Sequence, residues 1–295
     1  MASIAAEKIS RTGAPILPGS VTSTDGTRIG YRQTGSGPGL VLVQGTMGTA
    51  SHFRELASYL SDTFTVYTPD RRGRGMSDAG EYGLRQEIED LDALLSHTGA
   101  RYIFGLSAGA IITLEAARTL SKLEKLAIFE PPFFLGDLPV ALLDRFDREY
   151  AQGDIPAAMV TAMLAGRFGP SWLRFIPGGL LKRFVSMGMA QEEKKPNGDY
   201  PTMRSLSATL PSDFKIIRQG DGPISRFSTL EKEILLLGGG KSPAYFTAAL
   251  DALEKTLPQV TRVTFENLGH DASWNSDKRG KPEAVAQALR QFFSA

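Results

Sequence analysis

The feature that most constrains this sequence is a Gly-x-Ser-x-Gly pentapeptide that joins a strand-like run to a helical one. A β-branched and aromatic run at residues 102–104 precedes it, and apolar residues at three-residue steps follow from 111 to 117. A plain strand-to-helix connection is the alternative, but this context is typical of a sharp turn at which Gly105 and Gly109 avoid colliding Cβ atoms. The turn would hold the Ser107 hydroxyl beside a helix N-terminus, which favours developing negative charge. The pattern therefore predicts Ser107 as a nucleophile.

The bulk composition limits the class of protein. With 295 residues, of which 42% are hydrophobic, the chain can bury a large core without covalent staples. It has 33 Lys plus Arg against 32 Asp plus Glu, and this balance argues against a nucleic-acid partner. The count of zero cysteines excludes disulfides and thiolate chemistry. Residues 1–15 lack an apolar signal segment, and no long uncharged apolar run follows, so we expect a cytoplasmic protein without a membrane span.

Short apolar runs alternate with amphipathic segments along most of the chain. The predicted strands are residues 20–24, 28–33, 40–43, 65–68, 102–104, 123–129, 233–237 and 260–265. The predicted helices among them are 52–60, 86–97, 243–257 and 282–293, besides the one after the pentapeptide. Asp25-Gly26 is a strong hairpin signal between the first two strands. This alternation predicts an α/β fold with a mostly parallel sheet covered by helices on both faces.

The alternation stops between residues 134 and 229, where only helices are predicted. They are 140–152, 156–168 and 203–218, with a charged, breaker-rich loop at 191–198. We therefore expect a core domain formed by residues 1–133 and 230–295, and a helical cap, residues 134–229, over the strand ends where ligands bind in such sheets. The methionines of this segment are either ordinary core filling or an adaptable wall for a hydrophobic ligand.

A serine nucleophile needs a base, and the sequence offers three histidines. His52 begins a predicted helix, and His97 ends one that leads away from the active edge of the sheet. His270 follows the last predicted strand, at the edge where the hydroxyl of Ser107 should emerge. The position predicts His270 as the base and surface or structural roles for the other two.

A carboxylate should orient the protonated imidazole. The loop after residues 233–237 contains no acid, whereas Glu130 stands at the end of the preceding predicted strand, 123–129. A glutamate at that neighbouring strand end can reach the same imidazole, so we predict Glu130 as the third catalytic residue. The alternative is a structural role for Glu130. Weaker candidates for the acid are Asp137, Asp251 and Asp271.

Two N–H groups should bind the oxyanion of an acyl-transfer reaction. One is predicted to come from Ala108, the residue after the nucleophile, and the other from Thr46, in a loop that Gly45 and Gly48 allow to approach closely. The basic loop at 70–75 is interpreted as structural, with paired charges. No His or carboxylate cluster has metal-ligand spacing, so we expect no metal and no cofactor.

These motifs together resemble the capped α/β-hydrolase superfamily over residues 20–295. The resemblance is carried by Gln44-Gly45 (where the family usually has His-Gly), Asp70-x-Arg-Gly-x-Gly-x-Ser77, Gly105-x-Ser107-x-Gly109 and Gly269-His270. It implies an eight-stranded, mostly parallel sheet with an inserted helical cap. Lys241 stands near the usual place of the acid, but some lipases and lactonases of the superfamily carry the acid one strand earlier, and Glu130 is similar to that arrangement.

The resemblance also implies a reaction. We expect a metal-free serine hydrolase that cleaves a carboxylic ester or lactone of a hydrophobic small molecule through an acyl-enzyme. The alternatives are a C–C bond hydrolase or lyase of the same fold, and a ligand-binding receptor with a vestigial triad. A homodimer is compatible with the sequence.

Overall fold

The computed structural model describes residues 13–169, 175–194 and 200–295. The interpretation of residues 1–15 therefore lies largely outside the described residues, and so does the second half of the predicted loop at 191–198. Within the described ranges, no helix is long and apolar enough to cross a membrane.

One sheet organises the molecule. Its strands are β1 (Leu17–Thr22), β2 (Arg28–Thr34), β3 (Gly39–Val43), β4 (Thr65–Pro69), β5 (Tyr102–Leu106), β6 (Lys125–Phe129), β7 (Glu233–Gly239) and β8 (Val260–Phe265). They lie in the order β1-β2-β4-β3-β5-β6-β7-β8. The pairs β1–β2 and β2–β4 are antiparallel, and every other pair is parallel. The predicted eight-stranded, mostly parallel sheet is confirmed.

Helices cover both faces of this sheet. They are α1 (Arg54–Leu60), α2 (Leu84–Thr98), α3 (Ala108–Thr119), α4 (Val140–Ala151), α5 (Ile155–Ala165), α6 (Gly178–Lys194), α7 (Met203–Ser207), α8 (Leu210–Gly220), α9 (Ala244–Thr256) and α10 (Pro282–Phe293). Alternate residues of β3 belong to different cores, because Leu40 and Leu42 pack with α1 and α10 while Val41 and Val43 pack with α2 and α3. Burial on both faces explains why the central strands are continuous apolar runs.

The segment between β6 and β7 is helical, as predicted. We call residues 134–229 the helical insert; its described residues contain α4 to α8 and no strand. The single helix predicted at 203–218 is wrong, because α7 and α8 are separate helices. Pro211 lies in the first turn of α8, and the residue before a proline is disfavoured in a helix interior. The predicted loop at 191–198 is also wrong at its start, since α6 continues to Lys194.

The parallel strands bring the candidate residues to one edge of the sheet. Leu106, at the end of β5, pairs with Phe129 of β6, which in turn pairs with Leu237 of β7. Ser107 and Glu130 follow the first two of these residues directly. The loop that carries His270 follows β8, so it emerges at the same edge.

Candidate active site

Ser107 occupies a strained turn between β5 and α3. Its φ of 56° and ψ of −121° are unusual for a residue with a side chain, and such conformations cost about 1–3 kcal/mol. A Cβ added at Gly105 would lie 2.5 Å from the carbonyl oxygen of Gly109, and one added at Gly109 would lie 2.4 Å from that of Val43. The predicted crowding is thereby confirmed: only glycine fits at both places, and the turn holds Ser107 where it lines a cavity.

His270 and Glu130 are joined by a short hydrogen bond. His270 Nδ1 lies 2.6 Å from Glu130 Oε2, and Glu130 is only 1% exposed. The other carboxylate oxygen, Oε1, accepts the Gly239 N–H at 2.6 Å. Glu130 also adopts a positive φ of 45° directly after β6. With both oxygens engaged, the carboxylate is fixed in place and can hold the imidazole with its Nε2 turned away from Glu130.

Two aromatic rings that the sequence analysis did not single out position the imidazole. The ring of Phe246 stacks on His270 with centroids 4.3 Å apart and an interplanar angle of 14°. Phe168, from the helical insert, lies at 5.4 Å. Stacking restricts rotation of the imidazole about its side-chain bonds. The sequence carried no signal for these contacts, because an aromatic residue in or just after a helix usually packs in the core.

The other two histidines have the structural or surface positions predicted for them, since His52 is buried and His97 is exposed. His52 is 3% exposed and packs against the rings of Tyr200 and Trp274. Burial, with a smaller contribution from the nearby positive charge of Lys278, lowers the pKa of His52 to about 4. His97, at the end of α2, lies against Tyr31.

The loop after β3 approaches the nucleophile closely. A Cβ at Gly45 would lie 2.8 Å from Ser107 Cβ, and Thr46 lines the same cavity as Ser107 and His270. Ala108 is completely buried at the first position of α3. In the described part of the chain, neither the Thr46 N–H nor the Ala108 N–H has a hydrogen-bond acceptor. Both are therefore free to donate to a ligand, which is what an oxyanion site requires.

The basic loop at 70–75 is charge-paired, which confirms its structural interpretation. Its ion pairs are Asp70 with Arg32, Arg71 with Glu87 and Asp213, Arg72 with Asp25 and Asp90, and Arg74 with Asp213. Asp213 belongs to α8 of the helical insert and was not singled out from the sequence. A lone buried aspartate in an amphipathic helix gives no signal of its partner.

The other carboxylates considered for the acid have different surroundings. Asp137 pairs with Arg167, and Asp251 pairs with Arg262. Asp271 lines the cavity. Among the described residues, none of these three aspartates hydrogen-bonds to the imidazole of His270.

The cavity itself has a volume of about 560 Å³ and an apolar wall supplied by the helical insert. That wall includes Leu143, Met159, Met163, Leu210, Phe214 and Ile217. Charged residues, Lys241, Asp271 and Arg279, also line it. The space can hold a small molecule with a hydrophobic body next to Ser107.

A comparison with protein families agrees with the fold. Residues 40–288 match the model of the alpha/beta hydrolase family. The chain belongs to that family. Its coarse activity class is therefore that of a hydrolase of the alpha/beta fold.

Several relatives of this alpha/beta hydrolase are similar over nearly their whole length. A pimeloyl-[acyl-carrier protein] methyl ester esterase from Stenotrophomonas maltophilia is 27% identical, covering 89% of this chain and 95% of that protein. A 2-(acetamidomethylene)succinate hydrolase from Mesorhizobium japonicum is 27% identical over 90% of this chain and 92% of its own length. The crystal structure of an alpha/beta hydrolase from Sphaerobacter thermophilus is 34% identical, with a TM-score of 0.75, covering 93% of this chain and all 100% of that one.

In this hydrolase Gln44 directly follows β3, at the start of the loop that carries Thr46. It is completely buried, and its Nε2 donates to the Leu42 carbonyl at 3.3 Å. Its Oε1 has no hydrogen-bond partner in the described ranges. A Cβ at Gly48 would lie 2.7 Å from Gln44 Cβ. The glutamine therefore packs against the turn of the loop while the N–H of Thr46 remains free.

Proposed function

We propose that this protein is a metal-free serine hydrolase that cleaves a carboxylic ester or lactone of a hydrophobic small molecule. One observation carries the proposal: Ser107, on a strained turn, and His270, bonded to the buried Glu130, line one cavity. A nucleophile, a base and a residue that orients the base are the parts that acyl transfer needs.

In the proposed mechanism Ser107 Oγ attacks the carbonyl carbon while His270 Nε2 takes its proton. The Nδ1–H of the imidazolium donates a hydrogen bond to Glu130, whose carboxylate stabilises the positive charge without becoming protonated. The Thr46 and Ala108 N–H groups bind the oxyanion. His270 then protonates the leaving alcohol, and a water molecule activated by the same base hydrolyses the acyl-enzyme.

Ser107 Oγ has no hydrogen bond within the described residues. The proposal therefore includes a small adjustment of the serine or the imidazole when substrate binds, because catalytic hydrogen bonds often tighten only in the substrate complex. Both side chains line one cavity.

The substrate class follows from the walls of the cavity. The helical insert supplies apolar side chains opposite the catalytic edge, and we propose that residues 134–229 act as a cap over a core of residues 1–133 and 230–295. The named activity of the Stenotrophomonas relative, a methyl ester esterase, supports an ester as the bond cleaved.

The proposal is tested by an activity screen over p-nitrophenyl esters and lactones of graded size, with wild type and Ser107→Ala. Turnover that is lost in the variant supports a serine hydrolase, and turnover that survives contradicts it. The product acid formed in oxygen-18 water should carry solvent oxygen. A product without that oxygen would indicate a lyase reaction in the same pocket.

A further inference from the structure

The oxyanion loop, residues 45–48, is anchored by a residue of the helical insert. Asp213 of α8 is completely buried, and its Oδ2 accepts the N–H of Met47 at 2.9 Å. Met47 has a positive φ of 55°, a conformation that a side chain rarely adopts without support. The carboxylate therefore holds the residue after Thr46 in the backbone geometry that this turn requires.

Two buried arginines connect the same carboxylate to the carbonyl groups of the loop. Asp213 Oδ1 accepts from Arg71 at 2.9 Å and from Arg74 at 2.5 Å. Arg74 Nη1 donates to the Gly45 and Gly48 carbonyls at 3.3 and 3.1 Å. Arg71 Nη1 also reaches the Gly45 carbonyl, at 3.4 Å. Asp213 thus holds the two arginine side chains whose N–H groups bind the carbonyls of the oxyanion loop.

These contacts leave the N–H of Thr46 unused. The Met47 N–H is bonded to Asp213, and the Gly48 N–H donates to the Gly45 carbonyl at 3.2 Å. The N–H of Thr46, the residue before Met47, has no acceptor in the described part of the chain. Oxyanion stabilisation depends on donors that are in place before the charge develops. The hydrogen bonds around Asp213 hold the loop, and with it the Thr46 N–H, in a fixed position.

A purely structural ion pair is the alternative. Asp90 provides the comparison, because it is buried and pairs with Arg72 of the same basic loop at 2.6 and 2.7 Å. Neither Asp90 nor Arg72 contacts residues 45–48 among the hydrogen bonds of the described chain. A role in stability would affect both aspartates alike, whereas a role in positioning belongs to Asp213 alone.

We propose that Asp213 is a positioning residue for the oxyanion site, so that the helical insert, through α8, sets the position of the Thr46 N–H. This inference rests on the proposed function and deepens it. Helix α8 packs against α2 and α3 of the core. The part of the helical insert that carries Asp213 is accordingly packed against the core, next to the active site.

The test compares Asp213→Asn with Asp90→Asn, using the best ester found for the wild type. The amide keeps the size of the side chain, but it removes the charge that holds the two arginines. Because the oxyanion forms only in the transition state, kcat should fall while KM stays within about threefold. We expect kcat to fall at least about tenfold, and by no more than the ~10²–10³-fold that complete loss of an oxyanion donor costs. Asp90→Asn should keep the wild-type kcat.

A second variant decides the matter if Asp213→Asn does not fold. Arg74→Lys keeps the positive charge next to Asp213 but cannot hold both loop carbonyls with one planar group. It should lower kcat about tenfold with little change in KM. A kcat equal to that of Asp90→Asn, or a change confined to KM, would overturn the inference. Retained turnover in Ser107→Ala would instead overturn the proposed function, so the two failures are distinguishable.

Discussion

Glu130 and His270 meet across an intervening strand. Glu130 follows β6 and His270 lies beyond β8, and β7 separates the two strands in the sheet. Their side chains nevertheless approach to 2.6 Å, and the end of β7 contributes the Gly239 N–H that holds the second carboxylate oxygen. The end of β7 thus contributes an N–H donor to Glu130, the acid that follows the neighbouring strand β6.

The Glu130–His270 pair predicts a large loss of activity in Glu130→Gln. The amide can present an N–H to Nδ1 and so favour the wrong tautomer of the imidazole, and a comparable change in a serine protease costs about 10⁴ in kcat. We expect kcat to fall by about 10³–10⁴-fold, measured as ester turnover. Asp137→Asn and Asp251→Asn are matched controls, because these aspartates pair with exposed or half-buried arginines elsewhere. A larger loss of kcat in either control than in Glu130→Gln would show that Glu130 is not the catalytic acid.

Gly239→Ala should destabilise the loop that carries His270. A Cβ there would lie 2.5 Å from the Leu268 carbonyl oxygen, and overpacking of this kind costs about 1–3 kcal/mol. The free energy of unfolding and the turnover should both fall. Gly188→Ala is the control, since a Cβ at Gly188 in α6 meets nothing within 4 Å, and alanine favours a helix. Equal stability of the two variants would contradict the close contact.

His52 should make stability depend on pH. Its pKa is lowered to about 4 by burial, whereas the unfolded chain titrates near 6.5. Between these values the unfolded state binds more protons, so the free energy of unfolding falls as pH decreases from about 6.5 to about 4. The loss from this residue should reach about 3 kcal/mol.

The variant His52→Asn isolates this effect. Its side-chain oxygen can accept the Thr49 N–H that His52 Nδ1 accepts at 3.1 Å. Chemical denaturation of both proteins between pH 4 and 7 gives the difference in unfolding free energy. The wild type should lose stability relative to the variant toward pH 4, and parallel curves would contradict the buried neutral imidazole.

The apolar wall predicts a preference for hydrophobic substrates. Each buried CH₂ contributes about 0.8 kcal/mol, so kcat/KM should rise about fourfold per methylene in a series of p-nitrophenyl esters until the chain fills the cavity. Met159→Trp should move that limit to shorter chains, because Met159 lines the cavity. Met187→Trp should not, since Met187 is exposed on α6. If the limiting ester chain length is unchanged in Met159→Trp, the substrate chain does not lie against residue 159.

The sequence predicted the features that depend on local pattern. The sheet, the turn at Ser107 and the position of His270 follow from strand spacing, from glycines that avoid collisions and from the shared edge of parallel strands. Glu130 was predicted by elimination, since no acid follows β7. The contact of Glu130 with His270 matches that prediction, while its catalytic role stays a proposal.

Other features depend on contacts between distant segments. The stacking of Phe246 on His270 and the bond from Asp213 to Met47 join residues that no periodicity relates. The break between α7 and α8 was missed because the apolar pattern continues across it, although Pro211 was a signal for it. Side chains from the helical insert line the site, and the residues that they contact are brought together only by folding.

The most direct test of the central claim is labelling with a fluorophosphonate probe, followed by peptide mapping. The account predicts that wild type is labelled at Ser107, that Ser107→Ala is not labelled, and that Glu130→Gln is labelled more slowly. Labelling of Ser107→Ala at the wild-type rate, or a mapped adduct on another residue, would contradict it.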